Sequence, residues 1–269
     1  MYSIEVVFML TIAIEAAREA GTFLLENVGK IKNIERKIGQ ETNLVTEIDK
    51  QSEALIIKKI QQHFPDHAIL GEESGAHAQK SEYRWIIDPL DGTTNFTHGV
   101  PIFCVTIGIE HAGEIIAGVI YDPNTNELYT AEKGKGAFLN GKRIYVSKTE
   151  TLINSLLVTG FPYNVNENPQ NVIEHFINFL PKAQGVRRLG SAAIDLAYVA
   201  CGRFDGYWEV FVHPWDKAAG ILLIQEAGGV VTNFENDAND IIYNPNTLAT
   251  NGLIHKKMLD VIQTITEKS

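Results

Sequence analysis

The chain has 269 residues, of which 45% are hydrophobic and 21% are charged. This composition is typical of a folded globular protein and excludes a disordered tail, a collagen-like repeat and a coiled coil. The 23 basic and 33 acidic side chains give a formal net charge of −10, which repels phosphate backbones. General nucleic-acid binding is therefore not expected.

The most apolar stretch covers residues 6–14, between Glu5 and Glu15. It is far shorter than the ~20 residues that a membrane-spanning helix needs. No basic residue precedes it and no small-residue cleavage site follows it, so we predict neither a membrane partner nor a signal peptide. Cys104 and Cys201 lie in no metal-binding motif. We expect them to be two buried thiols in a reducing cytoplasm.

The first part of the chain predicts two helices followed by a run of strands. A helix over residues 3–26 places these apolar side chains mostly on one face: Ile4, Val7, Phe8, Ile12, Ala16 and Phe23. A second amphipathic helix runs from Asp49, a plausible N-cap, to about residue 64. Strands are predicted over residues 68–70, 85–87, 103–110, 115–121 and 127–131. The short turns after the third and fourth strands indicate an antiparallel meander.

After about residue 147 the pattern changes, because short strands now alternate with helices. Strands are predicted over residues 155–159, 186–189, 206–209, 230–232 and 248–250. Helices are predicted over residues 169–180, 192–201, 215–227 and 253–266. We therefore predict an α+β half over residues 1–149 and an α/β half over residues 150–269.

Two patterns resemble functional motifs and are set aside. Residues 136–143 approach a phosphate-binding P-loop but place Arg143 where the loop needs Ser or Thr, and Asn140-Gly141 favours a hairpin turn. Four histidines share no metal-ligand spacing and are interpreted as ordinary surface or core residues: His98, His111, His175 and His213.

The most informative stretch is the string Asp88-Pro89-Leu90-Asp91-Gly92-Thr93-Thr94-Asn95, which follows an apolar strand directly. A turn that caps the next segment explains many such strings. It does not explain why Asp88 follows three bulky apolar residues, since a carboxylate at the end of a buried strand is costly without a positive partner. Residues 85–97 contain no Lys or Arg.

Other acids occupy similar places along the chain. Glu72 and Glu73 follow a short predicted strand, and Asp216 begins an apolar helix. Each has an ordinary explanation, a solvated loop for the glutamates and the helix dipole for Asp216. Acids at strand ends and helix starts also assemble oxygen-ligated Mg²⁺ sites, provided that the segments converge.

These residues resemble the inositol monophosphatase family, within the Mg²⁺-dependent, lithium-sensitive sugar and nucleotide phosphatases. The resemblance is carried by Gly71-Glu72-Glu73-Ser74, the Asp88 to Asn95 string, and Trp215-Asp216 followed by Gly228-Gly229. It extends to Leu44-Val45-Thr46, Asp49 and Gly190-Ser191-Ala192-Ala193, and so covers almost the whole chain. It implies a layered αβαβα sandwich with the site between the two halves.

The resemblance also implies a role for each matching residue. Glu72, Asp88 and the Leu90 carbonyl would hold a first Mg²⁺, and Asp88, Asp91 and Asp216 a second. Thr93, positioned by Asp49 and acting with Glu72, would orient and deprotonate the attacking water. The substrate would be bound by Asp91, by the Gly92 and Thr93 amides, and by Gly190, Ser191, Ala192 and Glu209.

Charge arithmetic suggests a third, weakly held Mg²⁺. Two Mg²⁺ neutralise the four carboxylates, and a phosphate monoester adds close to two further negative charges. We therefore expect two or three Mg²⁺, with the third bound through Glu72 and water as substrate arrives. Water activated in this way attacks phosphorus without a covalent enzyme intermediate.

The choice of substrate is less constrained. Glu209 suits a polyol, so the predicted activity is hydrolysis of inositol 1-phosphate. Lys182, Arg187 and Arg188 could meet a second anionic group, which leaves NADP(H) 2′-phosphatase or fructose-1,6-bisphosphatase activity as the alternative. A regulatory binding module for transcription or RNA machinery is an alternative of another class. The resemblance further suggests a homodimer; the role of Lys37 and the use of Mn²⁺ stay open.

Overall fold

The computed structural model describes residues 2–30, 34–37, 40–77 and 81–266, and the side chains of residues 4–30, 46–76 and 81–264. The α-helices are α1 (Tyr2–Asn27), α2 (Glu47–His63), α3 (Thr93–Thr97), α4 (Val172–Phe179), α5 (Ala192–Ala200), α6 (Pro214–Glu226) and α7 (His255–Thr266). The first strands are β1 (Ile34–Lys37), β2 (Gln40–Thr46), β3 (Ala68–Gly71), β4 (Gly75–His77), β5 (Tyr83–Asp91), β6 (Cys104–His111), β7 (Glu114–Asp122) and β8 (Glu127–Glu132). The remaining strands are β9 (Gly136–Leu139), β10 (Lys142–Arg143), β11 (Leu156–Thr159), β12 (Gly185–Arg187), β13 (Gly206–Glu209), β14 (Val230–Thr232) and β15 (Thr247–Thr250).

Two large sheets organise the described residues, beside a small β1–β2 ribbon. The first sheet has eight strands in the order β10-β9-β8-β7-β6-β5-β3-β4. From β5 to β10 it is an antiparallel meander, as predicted. The second sheet has the order β12-β11-β13-β15-β14, in which β12, β11 and β13 run parallel while β15 is antiparallel to its neighbours.

The helices separate the sheets into layers. α1 and α2 cover one face of the eight-stranded sheet, while α5 and α6 lie between the two sheets. α4 and α7 pack on the far face of the five-stranded sheet. Each layer buries its own apolar cluster, so the predicted αβαβα sandwich is confirmed. The boundary at residues 149 and 150 falls between the two sheets and stays a prediction.

The predicted apolar face of α1 is wrong near its start, because Ile4, Val7 and Phe8 are exposed. The helix instead buries a row of small side chains against β6 and β7: Ala13, Ala16, Ala17 and Ala20. Gly21 continues this contact, since a Cβ there would lie 2.6 Å from the Tyr121 ring. Close approach to the sheet selects small residues, which a count of bulky apolar residues does not detect. No helix in the described ranges is long and apolar enough to cross a membrane.

The start of α2 also differs from the prediction. Thr46, not Asp49, is the N-cap, and Asp49 stands at the third helical position. The Asp49 carboxylate accepts a 2.8 Å hydrogen bond from the Thr46 amide, while the Thr46 hydroxyl accepts from the Ile48 and Asp49 amides. This capping box satisfies the first amides of α2 and fixes Asp49.

Smaller features follow from local chemistry. The hairpin predicted at Asn140-Gly141 joins β9 to β10, with both residues at positive φ. The predicted helix over residues 169–180 becomes a short 3-10 turn followed by α4, because Gln170 and Asn171 adopt left-handed backbone angles. Both cysteines are free, as expected, although Cys201 is only partly buried.

We predict that one histidine makes the stability of the fold depend on pH. The ring nitrogens of His255 lie 3.0 Å from the Thr232 and Thr250 hydroxyls, and burial lowers the pKa of this histidine to about 4. Because the unfolded chain binds a proton near pH 6.5 and the fold does not, stability is lost as the pH falls from 6.5 towards 4. Between pH 7 and pH 5 this residue should lower the free energy of unfolding by about 2 kcal/mol.

The measurement is urea unfolding of the wild-type and His255→Gln proteins at pH 7 and pH 5. The wild type should lose about 2 kcal/mol more than the variant over this interval. An equal loss in both proteins would show that His255 does not bind its proton preferentially in the unfolded chain.

Candidate active site

A cleft of about 560 Å³ lies between the two halves of the molecule. Eleven of the predicted site residues line it: Glu72, Asp88, Leu90, Asp91, Gly92, Thr93, Gly190, Ser191, Ala192, Glu209 and Asp216. Asp49 lies behind the wall, in contact with Thr93. Segments far apart in the sequence therefore meet at one place, as the interpretation of the acids required.

β5 delivers Asp88 and Asp91 to the cleft from the apolar core. Its pairing with β6 shifts between these two aspartates, so the strand is irregular where it reaches the cleft. The Leu90 amide donates a 2.9 Å hydrogen bond to Asp88 Oδ1, and the Ser52 hydroxyl donates to the Pro89 carbonyl. These bonds fix the strand end that presents both carboxylates.

Asp91 joins the two halves of the protein. Its Oδ2 accepts hydrogen bonds from the Ser191 hydroxyl at 2.6 Å and the Ala193 amide at 2.7 Å, both at the start of α5. Burial raises the pKa of Asp91 to about 6, against the lowering effect of these two donors. The N-terminus of α5 thus stabilises a carboxylate supplied by the other half.

Glu72 is positioned by a second, buried glutamate. The Glu53 carboxylate, on α2, accepts hydrogen bonds of 3.0 and 2.9 Å from the Glu73 and Ser74 amides. A Cβ on Gly71 would overlap the Glu53 carboxylate, so a larger residue there would displace this side chain. The hydrogen bonds to Glu53 therefore fix the turn after β3. Glu72 in this turn lines the cleft, and Glu73 does not.

Thr93 and Asp49 form a hydrogen-bonded pair at the first turn of α3. The Thr93 hydroxyl lies 3.0 Å from Asp49 Oδ1 and 3.1 Å from the Leu90 carbonyl. Burial raises the pKa of Asp49, and hydrogen bonds from Thr46 and Thr93 oppose this rise. When the Thr93 hydroxyl donates its proton to Asp49, its oxygen can still accept a hydrogen bond from a group in the cleft.

Asp216 reaches the cleft from the first turn of α6. Its Oδ2 accepts a 2.9 Å hydrogen bond from the His213 amide, and the His213 ring stacks on Trp215 at 4.7 Å. His213 also lines the cleft, so its interpretation as an ordinary histidine was incomplete.

The four acids influence one another electrostatically. Burial, and then the charges of Glu72, Asp91 and Asp216, raise the pKa of Asp88 well above its ordinary value. Burial, with the charges of Glu72 and Asp91, does the same for the pKa of Asp216. Among the described residues, no Lys or Arg forms an ion pair with Asp88, Asp91 or Asp216. Asp88, Asp91 and Asp216 therefore concentrate negative charge without an ion-pair partner in the part of the chain that the structure describes.

This donor set fits a hard divalent cation. Carboxylates and a backbone carbonyl, that of Leu90, are the ligands Mg²⁺ prefers, and a cation would offset the repulsion. Within the described ranges, no three His, Cys, Asp or Glu side chains converge tightly enough to form a ready cage. Like charges repel, so these side chains line the walls of the cleft, and water would have to complete the coordination.

The C-terminal half also carries residues suited to binding a leaving group. Glu209 ends β13 and accepts a 2.8 Å hydrogen bond from the Tyr207 hydroxyl, while burial raises the pKa of Glu209 to about 7. A Cβ on Gly160 would overlap the Glu209 carboxylate, so a larger residue there would displace this side chain. Of the basic cluster noted in the sequence, only Arg188 lines the cleft; Lys182 and Arg187 do not.

Several lining residues carried no signal in the sequence. The segment after β11 contributes Phe161, Pro162 and Tyr163. Phe211 has a left-handed backbone, φ 58°, and is half exposed at the cleft. Asp195 also lines the cleft and is not among the residues predicted for the site. Lys37 ends β1, and its side chain lies outside the described residues.

Known proteins resemble this chain along nearly its whole length. The model of the inositol monophosphatase family matches residues 5–267. An inositol-1-monophosphatase from Synechocystis sp. is 47% identical over 250 residues, which cover 93% of this chain and 86% of the relative. The Nus factor SuhB of Pseudomonas aeruginosa is 41% identical over 260 residues, which cover 95% of this chain and 96% of the relative.

A solved structure extends the likeness to three dimensions. The inositol monophosphatase from Anabaena (Nostoc) sp. has a TM-score of 0.87 and 46% sequence identity, and the match covers 97% of each chain. Sequence and structure agree along nearly the whole length, and the chain belongs to the inositol monophosphatase family.

Proposed function

We propose that the protein is a Mg²⁺-dependent phosphomonoesterase that hydrolyses a small polyol phosphate, with inositol 1-phosphate as the preferred substrate. The observation that carries the proposal is the meeting of Glu72, Asp88, Asp91 and Asp216 in one cleft, from three separate segments. A protein that only binds a partner gains nothing from burying acids that repel one another. An enzyme that uses divalent cations needs such acids as metal ligands.

The chain's own oxygens define where the cations would lie. Glu72, Asp88 and the Leu90 carbonyl would hold one Mg²⁺, and Asp88, Asp91 and Asp216 a second, with a third arriving with substrate at Glu72. When bound, the metal ions polarise the phosphoryl oxygens, acidify water and stabilise the departing alkoxide. The protein supplies two or three positions of high negative potential and holds them rigid through Glu53, Ser191 and the capping box of α6.

Thr93 orients the attacking water. Its hydroxyl donates to Asp49 or to the Leu90 carbonyl, both within 3.1 Å, which leaves its oxygen to accept a hydrogen bond from water. Glu72, which lines the same cleft, would assist removal of the water proton. Direct attack by water needs no covalent enzyme intermediate.

The remaining contacts bind substrate. The phosphate would contact the cation that Asp91 helps to hold, and it would accept hydrogen bonds from the Gly92 and Thr93 amides at the start of α3. The polyol would lie against Glu209 and the Gly190–Ser191–Ala192 turn, which also line the cleft. Glu209 accepts hydrogen bonds from hydroxyl groups, which favours a polyol over an apolar leaving group.

Two alternatives are weighed against this proposal. The first alternative is NADP(H) 2′-phosphatase or fructose-1,6-bisphosphatase activity, which was predicted from the basic residues Lys182, Arg187 and Arg188. Of these three residues, only Arg188 lines the cleft. Regulatory binding is the second candidate function, and the name Nus factor SuhB of the Pseudomonas relative favours it. A homodimer and a cytoplasmic location remain predictions.

We predict that Asp88→Asn abolishes phosphate release. The substitution keeps the shape of the side chain but removes a charge shared by both proposed cation sites, so kcat/KM for inositol 1-phosphate should fall by roughly 10³-fold or more. Phosphate release is measured over a range of MgCl₂ concentrations, with NADP and fructose 1,6-bisphosphate as comparison substrates.

Asp66→Asn is the matched control, because Asp66 is exposed and does not line the cleft. It should behave as the wild type does. Turnover that survives Asp88→Asn, or wild-type turnover that is independent of Mg²⁺, would overturn the phosphatase proposal. Loss of turnover with retained function in transcription would instead separate the regulatory role from catalysis.

We also predict that Mg²⁺ stabilises the fold in a pH-dependent manner. At a hundred times its dissociation constant, the ion should add about 2.7 kcal/mol to the free energy of unfolding. Because burial raises the pKa of Asp91 to about 6, protons compete with the cation more strongly as the pH falls. At a fixed Mg²⁺ concentration, stabilisation should therefore be large at pH 8 and small at pH 5.

The measurement is thermal unfolding with MgCl₂ or EDTA at both pH values, at constant ionic strength. The Asp88→Asn variant should show little Mg²⁺ effect at either pH. An unfolding temperature that EDTA leaves unchanged in the wild type at pH 8 would contradict the proposed cation sites.

A further inference from the structure

One cleft-lining carboxyl has no part in the proposed cation sites. Asp195, on α5, is only 1% exposed and lines the cleft. Its Oδ1 is buried and has no hydrogen-bond partner among the described residues. A buried polar atom without a partner reduces stability, and such atoms are rare in folded proteins.

Other buried aspartates show how a structural carboxyl is normally satisfied. Asp205 accepts hydrogen bonds from the Ser147 hydroxyl at 2.5 Å and from the Leu156 amide at 2.7 Å. Asp122 accepts from the Asn124 amide at 2.8 Å and the Thr125 hydroxyl at 2.9 Å. The hydrogen bonds of both aspartates fix loops to neighbouring elements. Oδ1 of Asp195 makes no such hydrogen bond, so the stability of the fold does not explain its position.

The surroundings of Asp195 indicate what it meets. The charges of Glu209 and Asp91 act on Asp195, and the charge of Arg188 partly offsets them. Glu209 and Arg188 line the same cleft, and α5 packs against β13, which carries Glu209. Burial and these acids raise the pKa of Asp195 well above its ordinary value. The carboxyls of Asp195 and Glu209 thus influence one another in one corner of the cleft.

We propose that Asp195 is a specificity-determining residue, whose Oδ1 accepts a hydrogen bond from a hydroxyl of the leaving group beside the one that Glu209 binds. The inference rests on the proposed function and narrows it. The two acceptors, on Asp195 and Glu209, need two hydrogen-bond donors that lie side by side. Adjacent hydroxyls on a polyol ring are such donors. An ester whose leaving group has no hydroxyl gains nothing from this corner, because the buried acceptor then stays unsatisfied.

The test compares two substrates in two variants. Asp195→Asn keeps the size of the side chain but replaces half of its acceptor capacity with a donor. For inositol 1-phosphate, kcat/KM should fall about 10- to 100-fold. For p-nitrophenyl phosphate, whose leaving group carries no hydroxyl, it should change less than about threefold. The unfolding temperature of the metal-free variant should equal or exceed that of the wild type, because an amide, unlike a carboxyl, has no charged form that burial penalises.

Asp205→Asn is the matched control, since it makes the same change in a buried aspartate that has partners and does not line the cleft. It should lower the unfolding temperature and leave the ratio of the two substrates unchanged. If Asp195→Asn slows both substrates equally, slows neither, or destabilises the fold as Asp205→Asn does, the inference is overturned.

Failure of the proposed function gives a different result. In that case the wild type releases phosphate from neither ester, and equilibrium binding of myo-inositol to the wild-type and Asp195→Asn proteins decides the inference. Weaker binding by the variant supports it. Equal affinity, or no binding by either protein, overturns it.

Discussion

Repulsion among four carboxylates that line one cleft is the constraint on which the rest of the molecule depends. Each acid needs a rigid support, because a flexible one would swing away from its neighbours into water. β5, the turn after β3 and α6 provide these supports, and each is fixed by hydrogen bonds within a few residues of its acid. Burial adds to the repulsion, since the effective dielectric constant of the interior is lower than that of water.

The two halves share the site in a way that separates its tasks. In the proposed function, the N-terminal half supplies Glu72, Asp88, Asp91 and the Thr93–Asp49 pair, which would face the cations and the water. The C-terminal half supplies Asp216, and also Glu209 and Asp195, which would face the leaving group. Asp91 is the point of contact, because its carboxylate is held by the Ser191 hydroxyl and the Ala193 amide of the other half.

The sequence predicted the parts of the fold whose signal is local. The meander was evident because short turns separate strongly apolar strands, and the acids of β5 stood out because no basic residue lay near them. The exposed Ile4 and Phe8 were misplaced, since the packing distance between α1 and the sheet depends on residues far along the chain. Thr46 was missed as an N-cap because Asp49, three positions on, is an equally good cap by residue type alone.

Asp195 shows the limit of local reasoning most clearly. In the sequence it is an acid in the first turn of a helix, where the dipole makes a negative charge favourable and nothing further is required. Its significance appears only once β13 brings Glu209 to the same corner and the fold leaves Oδ1 without a donor. A carboxyl that weakens the fold and faces a ligand cleft is the pattern expected where stability has been exchanged for binding. The sequence does not distinguish such a residue from other helix acids. The lack of a hydrogen-bond donor for Oδ1 depends on how distant segments pack, and the order of residues does not show it.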